Sequence, residues 1–375
     1  MNEQRIRRIM SGEARSRGDK AMRAGLRALE PGYRTAVAIR NAMFDHAIRK
    51  PARLGRATIS VGNITTGGTG KTPMVIELVD RLVRMGERPA VLLRGYMPRG
   101  VQGPKQSDEA TLYHEALKDT AVVQANANRR LGAARVLGDH PDVSVFILDD
   151  GYQHRQVHRD LDLVLVDATN PWGYGHLLPR GMLREPTKNL HRADQIILTR
   201  CEQVNKAALS TIDAQVQDLA GKAPLARATS AWTGFRTFNP VTGETLDKPP
   251  DELSNLRVAG MCGVGNPDAF FAMLDQAAGK VVIRTSLGDH QQYDRAQLQA
   301  WLAEARKAGA EAVATTEKDF VKWLPLLGPQ GSPAVDSHAS AGLLIHRPNL
   351  ALRFADGDDQ AIDRILRQAL GRDHA

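Results

Sequence analysis

From Ala57 onward, short β-branched and aliphatic runs alternate with stretches whose apolar residues recur every three or four positions. The runs predict strands at Ala57 to Val61, Pro89 to Leu93, Ala121 to Val123, Val143 to Leu148, Leu161 to Val166 and Gln195 to Leu198. Between them, Val75, Leu78, Val79 and Leu82 mark one face of a helix from about Pro73 to Met85, and Asn205 to Leu219 reads as another. Such alternation predicts an α/β fold with a mainly parallel sheet. A zone richer in Pro and Gly, from Phe235 through Pro240, Gly243, Pro249 and Pro250, interrupts it, and the pattern resumes at Leu256 to Met261. The interruption predicts a linker over 231–255 between a first domain at 31–230 and a second, smaller α/β domain at 256–375.

Upstream of residue 57 the pattern is different. Residues 1–30 read as a basic flexible arm. After Pro31, a good helix-starting residue, Tyr33, Ala36, Val37, Met43, Phe44 and Ala47 fall at helical spacing while Arg34, Asn41, Asp45 and Arg49 fall elsewhere. This predicts a basic amphipathic helix whose apolar face either packs on the domain or lies at an anionic bilayer. No run of about 18 apolar residues is present, which predicts no transmembrane helix. The start also lacks the apolar core of a secretory signal.

Charge sharpens that contrast. The 375 residues carry 50 Lys and Arg against 42 Asp and Glu, a net +8. Residues 1–56 hold fourteen basic and five acidic residues, so this segment carries +9 and the remainder −1. An anionic surface met by one end of the chain is therefore expected. Nucleic acid is a poor candidate for it, because Tyr33 and Phe44 are the only aromatics available there for stacking on bases. With 42% apolar residues the chain is not disordered. Cys201 and Cys262 stand far apart, which supports neither a disulfide framework nor a cysteine zinc site and reads as intracellular.

The candidate chemistry lies in the body. Ile59-Ser60-Val61-Gly62-Asn63-Ile64-Thr65-Thr66-Gly67-Gly68-Thr69-Gly70-Lys71-Thr72-Pro73 is a strand, a glycine-rich loop and a helix start. Glycines let successive N–H groups turn inward on a phosphate, and the helix adds its positive end. Lys71 then reaches the β and γ phosphates, and the Thr72 hydroxyl ligates Mg²⁺. Thr65 stands where this pattern usually begins with Gly. A nucleoside triphosphate site on a P-loop NTPase-like three-layer α/β/α domain follows. A second apolar run ends in Asp149-Asp150-Gly151-Tyr152-Gln153-His154, placing two carboxylates at the same sheet edge, where they suit Mg²⁺ or its waters.

Three further segments bear on the acceptor. Ser107-Asp108-Glu109 follows the second strand, and Asp289-His290 lies in the second half. Phosphoryl transfer to an alcohol asks for a base that orients the hydroxyl, although each cluster also reads as a solvated loop acid or a helix cap. The irregular stretch Gly173 to Pro186, carrying Arg180 and Arg184, is either a cover or an anion-binding acceptor loop.

At this point the motifs resemble one family in order, from about residue 31 almost to the end: the tetraacyldisaccharide 4′-kinases of lipid A biosynthesis. They are V-G-N-x-T-x-G-G-T-G-K-T-P at Val61 to Pro73, R-G-Y at Arg94 to Tyr96, D-E at Asp108-Glu109 and D-D-G-Y-Q-H at Asp149 to His154. L-L-P-x-G-x-L-R-E-P follows at Leu177 to Pro186, then G-N-P-x-x-F-F at Gly265 to Phe271, D-H at Asp289-His290 and T-E-K-D at Thr316 to Asp319. The family shares Thr65, so its departure from the glycine pattern no longer counts against the loop.

The resemblance implies an enzyme that uses ATP and Mg²⁺ to phosphorylate the 4′-hydroxyl of a tetraacylated glucosamine disaccharide 1-phosphate, giving lipid IVA. Thr66, Gly67, Gly68, Thr69, Gly70, Lys71 and Thr72 would bind the nucleotide, with Lys71 catalytic. Thr72, Asp149 and Asp150 would form the metal site, Asp108 with His290 the base pair, and Tyr96, Gln153, Arg184 and Glu185 the acceptor side. The sequence departs from the family where Met97-Pro98-Arg99 follows Tyr96 and where Gln291-Gln292 follows His290. Where the family commonly begins with an apolar membrane helix, this chain has its basic arm. A peripheral enzyme on the cytoplasmic face of the bacterial inner membrane is expected, with a glycolipid and an anionic membrane surface as partners and no obligate protein partner. A GTPase or metallochaperone would instead carry N-K-x-D after a strand, and Leu198-Thr199-Arg200-Cys201-Glu202 is only a loose echo of it.

Overall fold

The computed structural model describes residues 3–95, 108–264, 267–287, 294–327, 343–355 and 357–372. They form two units: Glu3–Ser230 together with Leu352–Ala375, and Ala231–Ala351.

The first unit begins with α1 (Glu3–Ser11) and α2 (Arg17–Asp45). Strands and helices then alternate as β1 (Ala57–Asn63), α3 (Lys71–Arg84), β2 (Pro89–Leu93), α4 (Asp108–Leu117), β3 (Val122–Ala125), α5 (Arg129–Asp139), β4 (Val145–Asp149), β5 (Leu161–Asp167), β6 (Gln195–Thr199) and α6 (Lys206–Ala220). Its sheet runs β6-β5-β1-β4-β2-β3, every pair parallel, and the first residues of β7 (Ala226–Phe238) extend it beside β6. Parallel strands covered on both faces read as unbroken apolar runs, and β2, β4 and β5 are buried along their whole length. The α3 residues Val75, Leu78, Val79 and Leu82 are fully buried on one face of the sheet, as their spacing predicted.

The second unit holds the rest of β7, then β8 (Thr245–Lys248), β9 (Arg257–Cys262), α7 (Pro267–Ala277), β10 (Lys280–Ser286), α8 (Arg295–Lys307), β11 (Ala312–Thr315), α9 (Glu317–Leu327) and most of β12 (Leu344–Phe354). Here β10, β9, β11 and β12 are parallel, and β8 pairs antiparallel with β7. Asp319 of the T-E-K-D motif is fully buried and accepts from the Gly263 amide at 2.8 Å and the Thr316 hydroxyl at 2.6 Å. That motif therefore fixes the end of β9.

Three boundaries differ from the sequence expectation. Residues 1–30 are not a flexible arm where described: Ser16 caps α2 by accepting from the Asp19 amide, and α2 passes straight through Pro31. Pro31 is tolerated inside the helix because neighbouring contacts hold both sides of it, as shown below. The segment 231–255 is not a linker, since β7 and β8 occupy much of it and Phe235 is fully buried. The last residues return to the first unit: α10 (Asp358–Ala369) buries Ile362, Ile365 and Leu366 in the same core as α3. Arg81, 5% exposed, joins the two helices through Asp359 and through Asp363 at 2.7 Å.

Candidate active site

The phosphate loop is built where strand geometry hands over to helix geometry. Gly67 and Gly70 have φ of 108° and 86°, a region that side chains with a Cβ rarely enter. Gly70 is the residue from which α3 starts, so the next two residues, Lys71 and Thr72, form its first turn. Thr65 in place of glycine fits because it is buried and bridges to Leu183.

Asn63, at the end of β1, organises the loop. Its Nδ2 donates to the Thr69 hydroxyl at 2.9 Å, its carbonyl accepts from Gln153 Nε2 at 2.8 Å, and its Oδ1 accepts from Lys71 Nζ at 3.4 Å. Farther along, Thr199 donates to the Thr69 carbonyl at 3.0 Å, and Arg200 spans the Gly68 carbonyl and Asp167. Asn63 was legible only as a letter of the motif. Arg200 carried no signal beyond its position after a strand.

The carboxylates arrive on β4, whose Asp149 pairs in register with Val61 of β1. Asp149 is 7% exposed at the strand end. Asp150 then turns into the left-handed region at φ 53°, which Asp tolerates better than most residues. Its carboxylate takes both cations of the site: Lys71 Nζ lies 3.4 Å away, and Arg184 Nη1 donates to its two oxygens at 2.8 and 2.7 Å. Burial alone would raise the Asp150 carboxyl, but Lys71 and Arg184 outweigh it and hold it below the ordinary carboxylate range. Gly62 lets this turn close, because a Cβ there would sit 2.5 Å from the Tyr152 Cβ.

The 173–186 loop is neither a free cover nor a detached anion site. It is sewn to the phosphate loop by the Thr66 amide donating to the Met182 carbonyl and by the Arg184 amide donating to the Ile64 carbonyl, both at 2.7 Å. On its other side it holds α2. Glu30 accepts from the Leu177 amide at 3.1 Å and from Arg34 at 2.9 Å, and the Tyr33 hydroxyl donates to the Arg184 carbonyl at 3.0 Å. These contacts flank Pro31 and carry the helix through it.

Glu185 was expected near the acceptor. Instead it is fully buried, accepting from Arg40 and Asn41 at 3.0 Å and from Asn189 and Arg192 at 2.7 Å. With its oxygens occupied, this side chain is architecture. Arg184 and Gln153 stay with Asp150, and Gln153 Oε1 accepts from Arg184 at 3.4 Å. Asp108 opens α4, but its side chain lies outside the described residues, as do Tyr96, Asp289 and His290.

The donor set suits Mg²⁺, which takes hard oxygens and is satisfied by one or two side chains when phosphates and waters complete the shell. The Thr72 hydroxyl and the Asp149 carboxylate are such ligands. Among the described residues no group of three or more His, Cys, Asp and Glu forms a protein-only cage. Asp150, expected on the metal, is committed here to Lys71 and Arg184.

The family model for tetraacyldisaccharide-1-P 4′-kinase matches residues 22–343. Relatives named tetraacyldisaccharide 4′-kinase include one from Anaeromyxobacter sp. strain Fw109-5, 34% identical over 333 residues, covering 85% of this chain and 88% of the relative. Another, from Geobacter sulfurreducens, is 34% identical over 375 residues, covering 96% and 98%. Among solved structures, LpxK from Aquifex aeolicus in complex with ATP aligns with a TM-score of 0.63 at 25% identity, over 93% of this chain and 99% of that one.

Proposed function

The chain belongs to the tetraacyldisaccharide-1-P 4′-kinase family, and on that premise we propose that it transfers the γ-phosphoryl group of ATP to the 4′-hydroxyl of a tetraacyl disaccharide 1-phosphate, forming lipid IVA in lipid A biosynthesis. The observation that carries this reading is a phosphate loop sharing one cluster, Lys71, Asp150, Arg184 and Gln153, with two motifs of the family.

Lys71 is released from Asp150 when phosphate oxygens offer it better partners, and it then stabilises the charge that builds on the transferring group. The Thr72 hydroxyl and Asp149 hold Mg²⁺, which spreads positive charge over the β and γ phosphate oxygens. Asp150 sets the distance between Lys71 and Arg184, and Arg184 with Gln153 orients the acceptor. Asp108, paired with His290, orients the sugar hydroxyl and takes its proton. The support for that pair and for Tyr96 is the motif order alone. Incubating the protein with labelled ATP, Mg²⁺ and the tetraacyl disaccharide 1-phosphate in detergent micelles tests the reading. A labelled lipid product is expected; GTP hydrolysis without lipid product would defeat it.

The glycolipid acceptor brings the enzyme to a membrane, and we read its location as peripheral, on the cytoplasmic face of the inner membrane. No described helix is long and apolar enough to cross a bilayer. Support comes from the outer side of α2 and the turn after it, where Leu29, Ile39 and Ile48 are 63%, 58% and 74% exposed among basic residues. Each basic residue that reaches an anionic lipid surface adds about 1 kcal/mol. Binding to phosphatidylglycerol vesicles that high salt reverses is expected. Binding indifferent to salt and lipid charge would refute it.

A further inference from the structure

We propose that Arg7 is a phosphate-binding residue, supplied to the phosphate loop by the helix at the very start of the chain. The identity of the ligand rests on the kinase reading; the site itself rests on geometry. Helix α1 precedes the residues that the family model matches, so no motif assigns it a role.

Its three arginines do different things. Arg5 pairs with Asp19 at 3.2 Å, and Arg8 is exposed, with its carbonyl accepting from the Ala14 amide at 3.0 Å. Arg7 turns to the phosphate loop: its Nη2 lies 3.7 Å from the point where a Cβ on Gly67 would stand. The missing side chain of Gly67 leaves the guanidinium against the loop backbone.

The helix is held firmly enough to aim that group. Ile9 has no exposed surface, Arg180 donates to the Met10 carbonyl at 2.7 Å, and Arg23 donates to the Ala14 carbonyl at 2.7 Å. Arg180 belongs to the same 173–186 loop that is sewn to Thr66 and Ile64, so α1, that loop and the phosphate loop form one connected frame. At the next residue, Gly68, a different guanidinium arrives from Arg200, but it is occupied by the Gly68 carbonyl and Asp167. Arg200 thus braces the loop, whereas Arg7 adds a cation beside the stretch of backbone that curls around phosphate. A guanidinium there suits planar recognition of phosphoryl oxygens, the role an arginine plays when it stabilises phosphoryl transfer from within the same chain.

The shared chemistry is a phosphoryl group, which comes either from the terminal phosphate of the nucleotide or from the 1-phosphate of the acceptor. The test uses Arg7→Gln, which keeps an extended polar stem without the charge, Arg7→Lys, and Arg5→Gln as a control on the same helix. Affinity for a non-hydrolysable ATP analogue with Mg²⁺ is measured without lipid, beside affinity for ADP; KM and kcat are then measured with the lipid acceptor.

If Arg7 meets the terminal phosphate, Arg7→Gln weakens the ATP analogue about tenfold, leaves ADP unchanged and is partly restored by Arg7→Lys. If it meets the acceptor, nucleotide affinities stay constant and KM for the disaccharide 1-phosphate rises about tenfold, with no rise for an acceptor lacking the 1-phosphate. Equal behaviour of Arg7→Gln and wild type in all these measurements overturns the proposal, as does an equal loss in Arg5→Gln, which would make the effect one of helix docking. A wild-type protein that binds the ATP analogue yet leaves the glycolipid unphosphorylated would sink the kinase reading while the nucleotide comparison still judges Arg7.

Discussion

Arg184 and Glu185 are neighbours in sequence and belong to opposite kinds of charge cluster. Arg184 joins Lys71 at Asp150, whose side chain keeps 37% of its surface exposed. Glu185 lies at the centre of Arg40, Asn41, Asn189 and Arg192 with none of its surface exposed. The first cluster has two cations on one half-exposed carboxylate, so partners can be exchanged at little cost in solvation. The second has every lone pair answered and no route to water. One motif thus supplies a reactive cluster and the foundation beneath it, and the two should fail in different measurements.

The largest separation should come from Glu185→Ala. Removing that carboxylate strands two guanidinium groups against a buried site, and unfolding free energy should drop by about 3–5 kcal/mol, read by urea denaturation. Asp150→Asn should cost under about 1 kcal/mol in the same assay, because its partners can turn to water. Equal losses would erase the distinction between the clusters.

Next in size, Lys71→Ala should lower kcat by about 10²–10³-fold while the urea midpoint stays near wild type. A matching fall in stability would show that Lys71 belongs to the foundation.

A titration sharpens the comparison further. His154 follows the Asp149-Asp150 turn, and its burial, together with Arg129, Arg159 and Arg94, pushes its pKa down from 6.5 to about 4. The unfolded chain takes up this proton near pH 6.5 and the folded chain only near pH 4, so acid favours unfolding. Stability that is fully present above pH 6.5 should decline as pH falls and level off below about 4. His154→Gln should flatten that decline by about 2 kcal/mol, measured as Tm against pH. An unchanged acid limb would mean that His154 titrates normally.

The smallest effect belongs to the link between the clusters and α2. Tyr33→Phe removes the hydroxyl bond to the Arg184 carbonyl and should cost about 1 kcal/mol, with kcat changed less than twofold. A larger kinetic effect would tie α2 to the position of Arg184 in turnover.

The same contrast explains what the sequence made legible. The phosphate loop and the strands around it are local: glycines at fixed offsets, apolar runs and a lysine at a helix start can be read within fifteen residues. Glu185 sits in as clear a motif as Arg184, yet its burial depends on Arg40 and Asn41, which approach from far upstream. Pro31 reads as a helix start because its ring disfavours a helix interior; the Glu30 and Tyr33 contacts that override this lie about 150 residues away in sequence. The 231–255 stretch looked like a linker because Pro and Gly punctuate it, whereas the pairing of β7 with β8 is satisfied across the turn those residues make. The return of α10 to the first unit rests on Arg81 meeting Asp359 and Asp363, a contact no periodicity announces.

That return sets a schedule for biosynthesis. The apolar face of α10 completes a core whose other parts were made before Ser230, and the roughly 120 residues of the second unit come in between. At about 5–20 residues per second, the ribosome leaves the first unit without its closing helix for roughly 6–24 s. During that interval Arg81 and the core beside it wait for partners still being synthesised. The intervening unit, continuous in sequence, is released whole before its host can finish folding, so a stall late in translation would strand the nucleotide-binding unit with an open core while its insert is already complete.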